Sequence, residues 1–127
     1  MLNQQQIEQY RETGCIVVAD MLDPATLARA RQVIADFVAA SAATTEHTDV
    51  YDLEPSHTPQ NPRIRRIKSP HLNHKLFWDI ARDPRLVGVL QQLLGQPGVR
   101  LPGVRLHGSK INLKAPQYGS PVEWHQN

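Results

Sequence analysis

The stretch that decides the reading of this chain is Lys110-Ile111-Asn112-Leu113-Lys114-Ala115-Pro116-Gln117-Tyr118-Gly119-Ser120-Pro121-Val122-Glu123-Trp124-His125-Gln126-Asn127. In an extended strand, residues i and i+2 project from one face. Lys110, Asn112 and Lys114 therefore share one side of a predicted strand, and Ile111 and Leu113 share the other. Pro116 and Pro121, with Gly119 between them, break that strand and return the chain. Val122 then opens a second extended run in which His125 and position 127 lie on one face. A His-x-Asp pair spaced in this way places an imidazole and a carboxylate on adjacent positions of an octahedral ferrous ion and leaves others open. Here the second position is Asn127.

Working back from Lys110, the same face of the predicted strand reads Val104, Leu106, Gly108, Lys110, Asn112, Lys114. It is apolar at one end and polar at the other. A barrel strand that runs from a packed interior to an open mouth has this gradient, because the interior excludes water while a site binds a charged ligand.

The run Lys-Ile-Asn-Leu-Lys-Ala-Pro-x-x-Gly-Ser-Pro-Val-Glu-Trp-His-Gln, from Lys110 to Gln126, resembles the region around the first iron-binding motif of the phytanoyl-CoA dioxygenase family, which includes ectoine hydroxylase-like enzymes. Members of that family are Fe(II)- and 2-oxoglutarate-dependent oxygenases with a double-stranded β-helix, or jelly-roll, fold, and their motif continues Trp-His-Gln-Asp. The resemblance implies that His125 is an iron ligand and that Asn127 stands at the family's aspartate position. It places Asn112 and Lys110 beside 2-oxoglutarate, and Trp124 and Lys114 on the substrate side. Lys110 and Lys114 also fit plain solvent-exposed strand charges. The implied activity is that of an oxidoreductase hydroxylating an aliphatic carbon of a small molecule or acyl substrate.

In the family, the second histidine ligand and the arginine that holds the far carboxylate of 2-oxoglutarate follow this motif. The chain as written is therefore expected to be the N-terminal part of a single domain spanning residues 1–127, truncated and inactive by itself. An asparagine amide offers a neutral oxygen where a carboxylate would bring negative charge to a hard dication. The competing expectation is a non-catalytic α+β binding module that has lost the iron site.

Composition narrows the field. With 127 residues the chain is one domain at most and short for a complete jelly roll that also carries helices. Ten prolines and seven glycines imply many breaks between short elements. A net charge of +2 gives no reason to expect a nucleic-acid partner. The single cysteine excludes an internal disulfide and, with no charged-then-apolar leader, points to the cytoplasm. No apolar run approaches membrane-spanning length.

The predicted fold class is α+β, with N-terminal helices packed on the opening strands of an incomplete jelly roll. Asn3 caps a first helix with Gln6, Leu2 and Ile7 staple it, and Gly14 stops it. Cys15-Ile16-Val17-Val18-Ala19 reads as a buried strand, which makes Cys15 a small core residue. Asp23-Pro24 starts a helix over 24–42, with Leu27, Ala30, Ile34, Phe37 and Val38 inward. Residues 44–62 lose periodicity and read as a long loop, with Tyr51, Asp52 and His57 its site-like members.

Arg63-Ile64-Arg65-Arg66-Ile67-Lys68 reads as an edge strand with its basic residues in solvent, the alternative being an acidic-ligand patch for a CoA-like or phosphorylated substrate. His71 and His74 read as a surface pair at a helix start, and Trp78 as core. Asp83-Pro84 opens a helix with Leu86, Val87, Leu90, Leu93 and Leu94 inward until Gly95. This helix and the one over 24–42 are expected on one sheet face, and strands left without barrel partners are expected to self-associate through their edges.

Overall fold

The computed structural model describes residues 1–95, 103–114 and 121. It is α+β. Five α-helices are described: α1 (Gln4–Thr13), α2 (Pro24–Ala40), α3 (Pro70–Asn73), α4 (Lys75–Ala81) and α5 (Pro84–Leu94). Three strands, β1 (Tyr51–Leu53), β2 (Ile64–Lys68) and β3 (Lys110–Asn112), form an antiparallel sheet in the order β1-β2-β3.

The helix ends follow from local chemistry. The Asn3 side chain accepts from the Gln6 N–H at 2.9 Å while the Gln6 side chain accepts from the Asn3 N–H at 2.9 Å, a reciprocal capping box. Gly14 closes α1 at φ 77°, a left-handed position that glycine reaches without a Cβ penalty. Asp23 and Asp83 cap α2 and α5 with a proline at the first helical position of each. A single 3-10 turn, Ser41–Ala43, finishes the exit from α2.

β2 is the central strand among the described residues, not an edge. Its neighbour β1 lies inside the segment expected to be a structureless loop, and three residues are too few to show a period of two. Ile64 and Ile67 are three apart, so a regular strand would send them to opposite faces. Tyr51, Asp52 and Leu53 pair with Ile67, Arg66 and Ile64, so the register skips Arg65. That bulge turns both isoleucines to one side. Ile67 is fully buried, and Leu53, Ile64 and Ile67 form one core cluster with Ile34, Phe37, Val38, Ile111 and Leu113 against it. Burial of a side chain of this size contributes roughly 1.5–3 kcal/mol.

α2 is the shared wall of two cores. Ile34, Phe37 and Val38 meet the sheet, while Ala30 and Val33 join Leu76 of α4, with Phe37, Phe77 and Ile80 packed against them. Phe37 also meets Tyr51 edge to face at 6.2 Å between centroids. α5 departs from the expected arrangement, because it packs chiefly on α1 and α4 instead of the sheet. Its buried residue is Val89, and Leu94 is exposed. Gln92 on α5 anchors the chain start, accepting from the Leu2 N–H at 2.9 Å and donating to the Leu2 carbonyl at 3.2 Å.

Three further expectations are corrected. Residues 15–19 form no strand among the described residues; Cys15 is exposed and Val17 is 92% exposed. No described strand lies alongside to complete their hydrogen bonds, and β-propensity without a partner fixes nothing. Leu27 lies on the exposed side of α2. Trp78 is partly exposed instead of core, held between the His71 ring, stacked at 5.9 Å, and the Arg82 guanidinium, 5.3 Å from its centroid.

Candidate functional site

The polar alternation read in Lys110, Asn112 and Lys114 has a structural counterpart. Ile111 and Leu113 pack on the core, while Lys110, Asn112 and Lys114 are exposed. Across β2 and β3, Arg66 pairs with Asn112 and Lys68 pairs with Lys110. Arg66 Nε donates to Asn112 Oδ1 at 3.3 Å. Across β1 and β2, Asp52 pairs with Arg66, and its carboxylate lies 3.4 Å from Arg66 and 3.3 Å from Lys68. The sheet therefore has an apolar face under α2 and an opposite face carrying Asp52, Arg66, Lys68, Lys110 and Asn112.

Three of these groups, Arg66, Lys68 and Asp52, are not free surface side chains. The side chains of Arg66, Lys68 and Asp52 are 32%, 35% and 25% exposed, so their interactions are screened less than those of fully solvated charges. The guanidinium is a fixed fork suited to a carboxylate, and the ammonium groups are compact point charges. Arg65, the skipped residue of the bulge, instead reaches the Pro121 carbonyl at 3.3 Å. Lys114 lies beyond β3 and lines a cavity of about 360 Å³ with Val38, Pro62, Arg63, Ile64 and Leu113.

Arg66, Lys68 and Asp52 were not singled out together from sequence. The three sit in two segments read as solvated strand and loop, and only the bulged register brings them beside Asn112. The imperfect alternation of residues 63–68 and their basic character, read alternatively as an acidic-ligand patch, are the signals that marked the place. His125, Asn127 and Trp124 lie outside the described residues, and no cluster of metal-capable side chains occurs among the described ones.

The other site-like residues of the loop have structural partners. Tyr51 packs on Phe37, and burial raises the pKa of its phenol. His57 clamps the loop: its Nδ1 accepts from the Arg63 N–H at 2.9 Å and its Nε2 reaches the Thr44 carbonyl at 2.9 Å. His47 Nδ1 accepts from the Leu53 N–H at 3.0 Å. Both imidazoles border a cavity of about 410 Å³ with Thr45, Glu46, Leu53, Glu54 and Pro55. His74 caps α4 through the Leu76 N–H, and His71 contacts Ser109 Oγ, so each has its own structural partner.

Comparison with known proteins gives a consistent picture. The sequence model of one family, phytanoyl-CoA dioxygenase (PhyH), matches residues 10–127. A probable alpha-ketoglutarate-dependent hypophosphite dioxygenase of Stutzerimonas stutzeri is 25% identical over 123 residues, which cover 97% of this chain and 41% of that protein. The ectoine dioxygenase of Streptomyces avermitilis is 23% identical over 121 residues, covering 95% of this chain and 37% of that protein. The chain thus spans about two fifths of the length of these relatives. No solved structure matches. Among the described residues, no helix is long and apolar enough to cross a membrane.

Proposed function

The chain belongs to the phytanoyl-CoA dioxygenase family, and we propose that it supplies the helical layer and opening strands of an Fe(II)- and 2-oxoglutarate-dependent dioxygenase acting on an aliphatic carbon of a small molecule or acyl substrate. The observation that carries this proposal is the polar face of the sheet. There Arg66 is held between Asp52 and Asn112, with Lys68 and Lys110 alongside. A dicarboxylate cosubstrate is complementary to a half-buried cationic face with one amide on it.

In this proposal β1, β2 and β3 belong to a jelly roll whose interior is the polar face, and α2 covers the outside. Asn112 and Lys110, with Arg66 beside them, orient 2-oxoglutarate, while Trp124 and Lys114 lie toward the substrate. The donor set near the chain end suits ferrous iron in part: His125 offers an imidazole, and Asn127 offers a neutral amide oxygen where an aspartate would bring charge. When bound, iron and 2-oxoglutarate supply the oxidising chemistry. The residues of this chain bind and orient the cosubstrate and exclude water by packing the apolar face beneath it.

Asn127 favours a second proposal, a non-catalytic module on the same fold, and one experiment separates the two. Residues 1–127, alone and joined to the C-terminal part of the hypophosphite dioxygenase, are assayed for Fe(II) binding and succinate release, each with and without Asn127→Asp. The expected result is turnover only in the joined protein, with Asn127→Asp strengthening iron binding on the order of tenfold. If no joined version binds Fe(II) or releases succinate, the non-catalytic proposal replaces the dioxygenase.

A further inference from the structure

Asp52, Arg66 and Asn112 are consecutive partners across the three strands, Asp52 opposite Arg66 and Arg66 opposite Asn112. They form one row, and each link in it is directional. Asp52 Oδ1 faces the Lys68 ammonium at 3.3 Å and its Oδ2 faces Arg66 Nη1 at 3.4 Å, so the carboxylate is held at both oxygens. The guanidinium is a rigid planar fork, so holding Nη1 also sets the direction of Nε–H. That N–H donates to Asn112 Oδ1 at 3.3 Å.

An amide side chain carries an acceptor on one side and a donor on the other, and half a turn of its last torsion exchanges them. On an exposed residue such as Asn112, nothing in the amide itself prefers one orientation. Arg66 decides it. Only the oxygen can accept from Nε–H, so the Nδ2H2 group is turned away from the guanidinium as a donor, and a charged donor makes that choice firmer than a neutral one. We propose that Asp52 is a positioning residue for the cosubstrate: acting through Arg66, it keeps the donor half of the Asn112 amide available to a carboxylate of 2-oxoglutarate. This deepens the dioxygenase proposal and rests on it. The reversed amide would set a carbonyl oxygen against that anion. The row also accounts for an acidic residue on a face that receives a dianion. By charge alone Asp52 opposes such a ligand, whereas by orienting the amide it favours it, so removing its charge has opposite consequences under the two roles.

The test is NMR of this chain as wild type, Asp52→Asn, Asp52→Glu and Arg66→Lys. Nitrogen relaxation of the Asn112 side-chain amide is measured first, and 2-oxoglutarate is then titrated at constant ionic strength. The wild type should show an ordered Asn112 amide whose signals shift to saturation. Asp52→Asn keeps the size of the side chain and removes its charge. It should loosen the amide and weaken 2-oxoglutarate binding on the order of tenfold, and Asp52→Glu should recover part of both. Binding that is unchanged or tighter in Asp52→Asn, or an Asn112 amide as ordered there as in the wild type, would overturn the positioning role. Arg66→Lys keeps the charge but lacks Nε–H and should loosen the amide in the same way, which keeps the test readable if Asp52→Asn disturbs the sheet. An amide that loosens in both variants while 2-oxoglutarate shifts nothing even in the wild type would uphold the hold of Asp52 on Asn112 and overturn the cosubstrate assignment.

Discussion

Two five-residue runs that both read as strands in the sequence meet opposite fates in this molecule. Ile64-Arg65-Arg66-Ile67-Lys68 becomes the central strand, with Ile67 fully buried, whereas Cys15-Ile16-Val17-Val18-Ala19 has the richer β-branched sequence and lies outside any described strand, with Val17 92% exposed. The difference lies in what runs alongside. Residues 64–68 have β1 on one side, β3 on the other and α2 beneath, while no described strand reaches residues 15–19. Strand preference is a statement about fitting a half-covered surface, and the surface has to be supplied by other parts of the chain.

The strongest way to break this comparison is to empty the centre of the favoured run. Ile67→Ala removes a fully buried side chain that Leu53, Ile64, Ile111 and Leu113 enclose, and is expected to cost about 2–5 kcal/mol. Urea unfolding followed by circular dichroism measures it. A loss below about 1 kcal/mol would mean that the sheet is not the seat of stability and that β2 differs little from residues 15–19.

A smaller effect is expected at the clamp that delivers β1 to β2. The His57 ring takes the Arg63 N–H and the Thr44 carbonyl from the two ends of the 44–62 segment, and the Glu54 N–H donates to the Arg63 carbonyl at 3.0 Å beside it. His57→Ala leaves both backbone groups without the ring, at a cost of about 1–3 kcal/mol. Thermal unfolding gives the size, and limited proteolysis within residues 55–62 gives the place. Cleavage unchanged by the substitution would show that β1 is held to β2 by the ladder alone.

The clamp also shows where sequence stops being informative. Helix limits were legible because their causes are local: Asn3 with Gln6, Asp23 with Pro24 and Asp83 with Pro84 each act within a few residues. β1, the bulge at Arg65 and the central place of β2 depend on which distant segments meet, and no pattern of a few residues encodes that. The candidate site divides in the same way. The alternation of Lys110 and Asn112 was readable along one strand, but Arg66, Lys68 and Asp52 became its neighbours only through register.

The helical layer should respond to acid in a way that distinguishes it from the sheet. Asp79 is held below the usual carboxylate range first by its hydrogen bond from Lys75, Asp83 by that from Arg85, and Asp23 by that from the Thr26 hydroxyl. A carboxylate whose pKa is lower in the folded state adds stability above its unfolded value, here 3.8, and that contribution is lost as pH falls through the folded value. The melting temperature should therefore be flat above that value and decline below it. All three carboxylates are partly exposed and solvent screens them, so the decline should be shallow. Lys75→Gln should make it shallower still, and an unchanged slope would remove Asp79 from the account.

The smallest expected effect is at the unfavoured run itself. Val17 has almost nothing to lose on substitution, so Val17→Thr should change stability by less than about 0.5 kcal/mol, against the several expected at Ile67. The thiol two residues earlier gives an independent check. Cys15 is exposed, and among the described residues its sulfur has only a weak contact with the Thr13 hydroxyl at 3.9 Å, so none of them shields it from a reagent. Its rate with a disulfide reagent should be nearly the same in the native chain as in urea. Strong protection in the native chain, or a large loss from Val17→Thr, would mean that a strand does lie along residues 15–19. The contrast between the two runs would then be one of which strand covers them instead of whether one does.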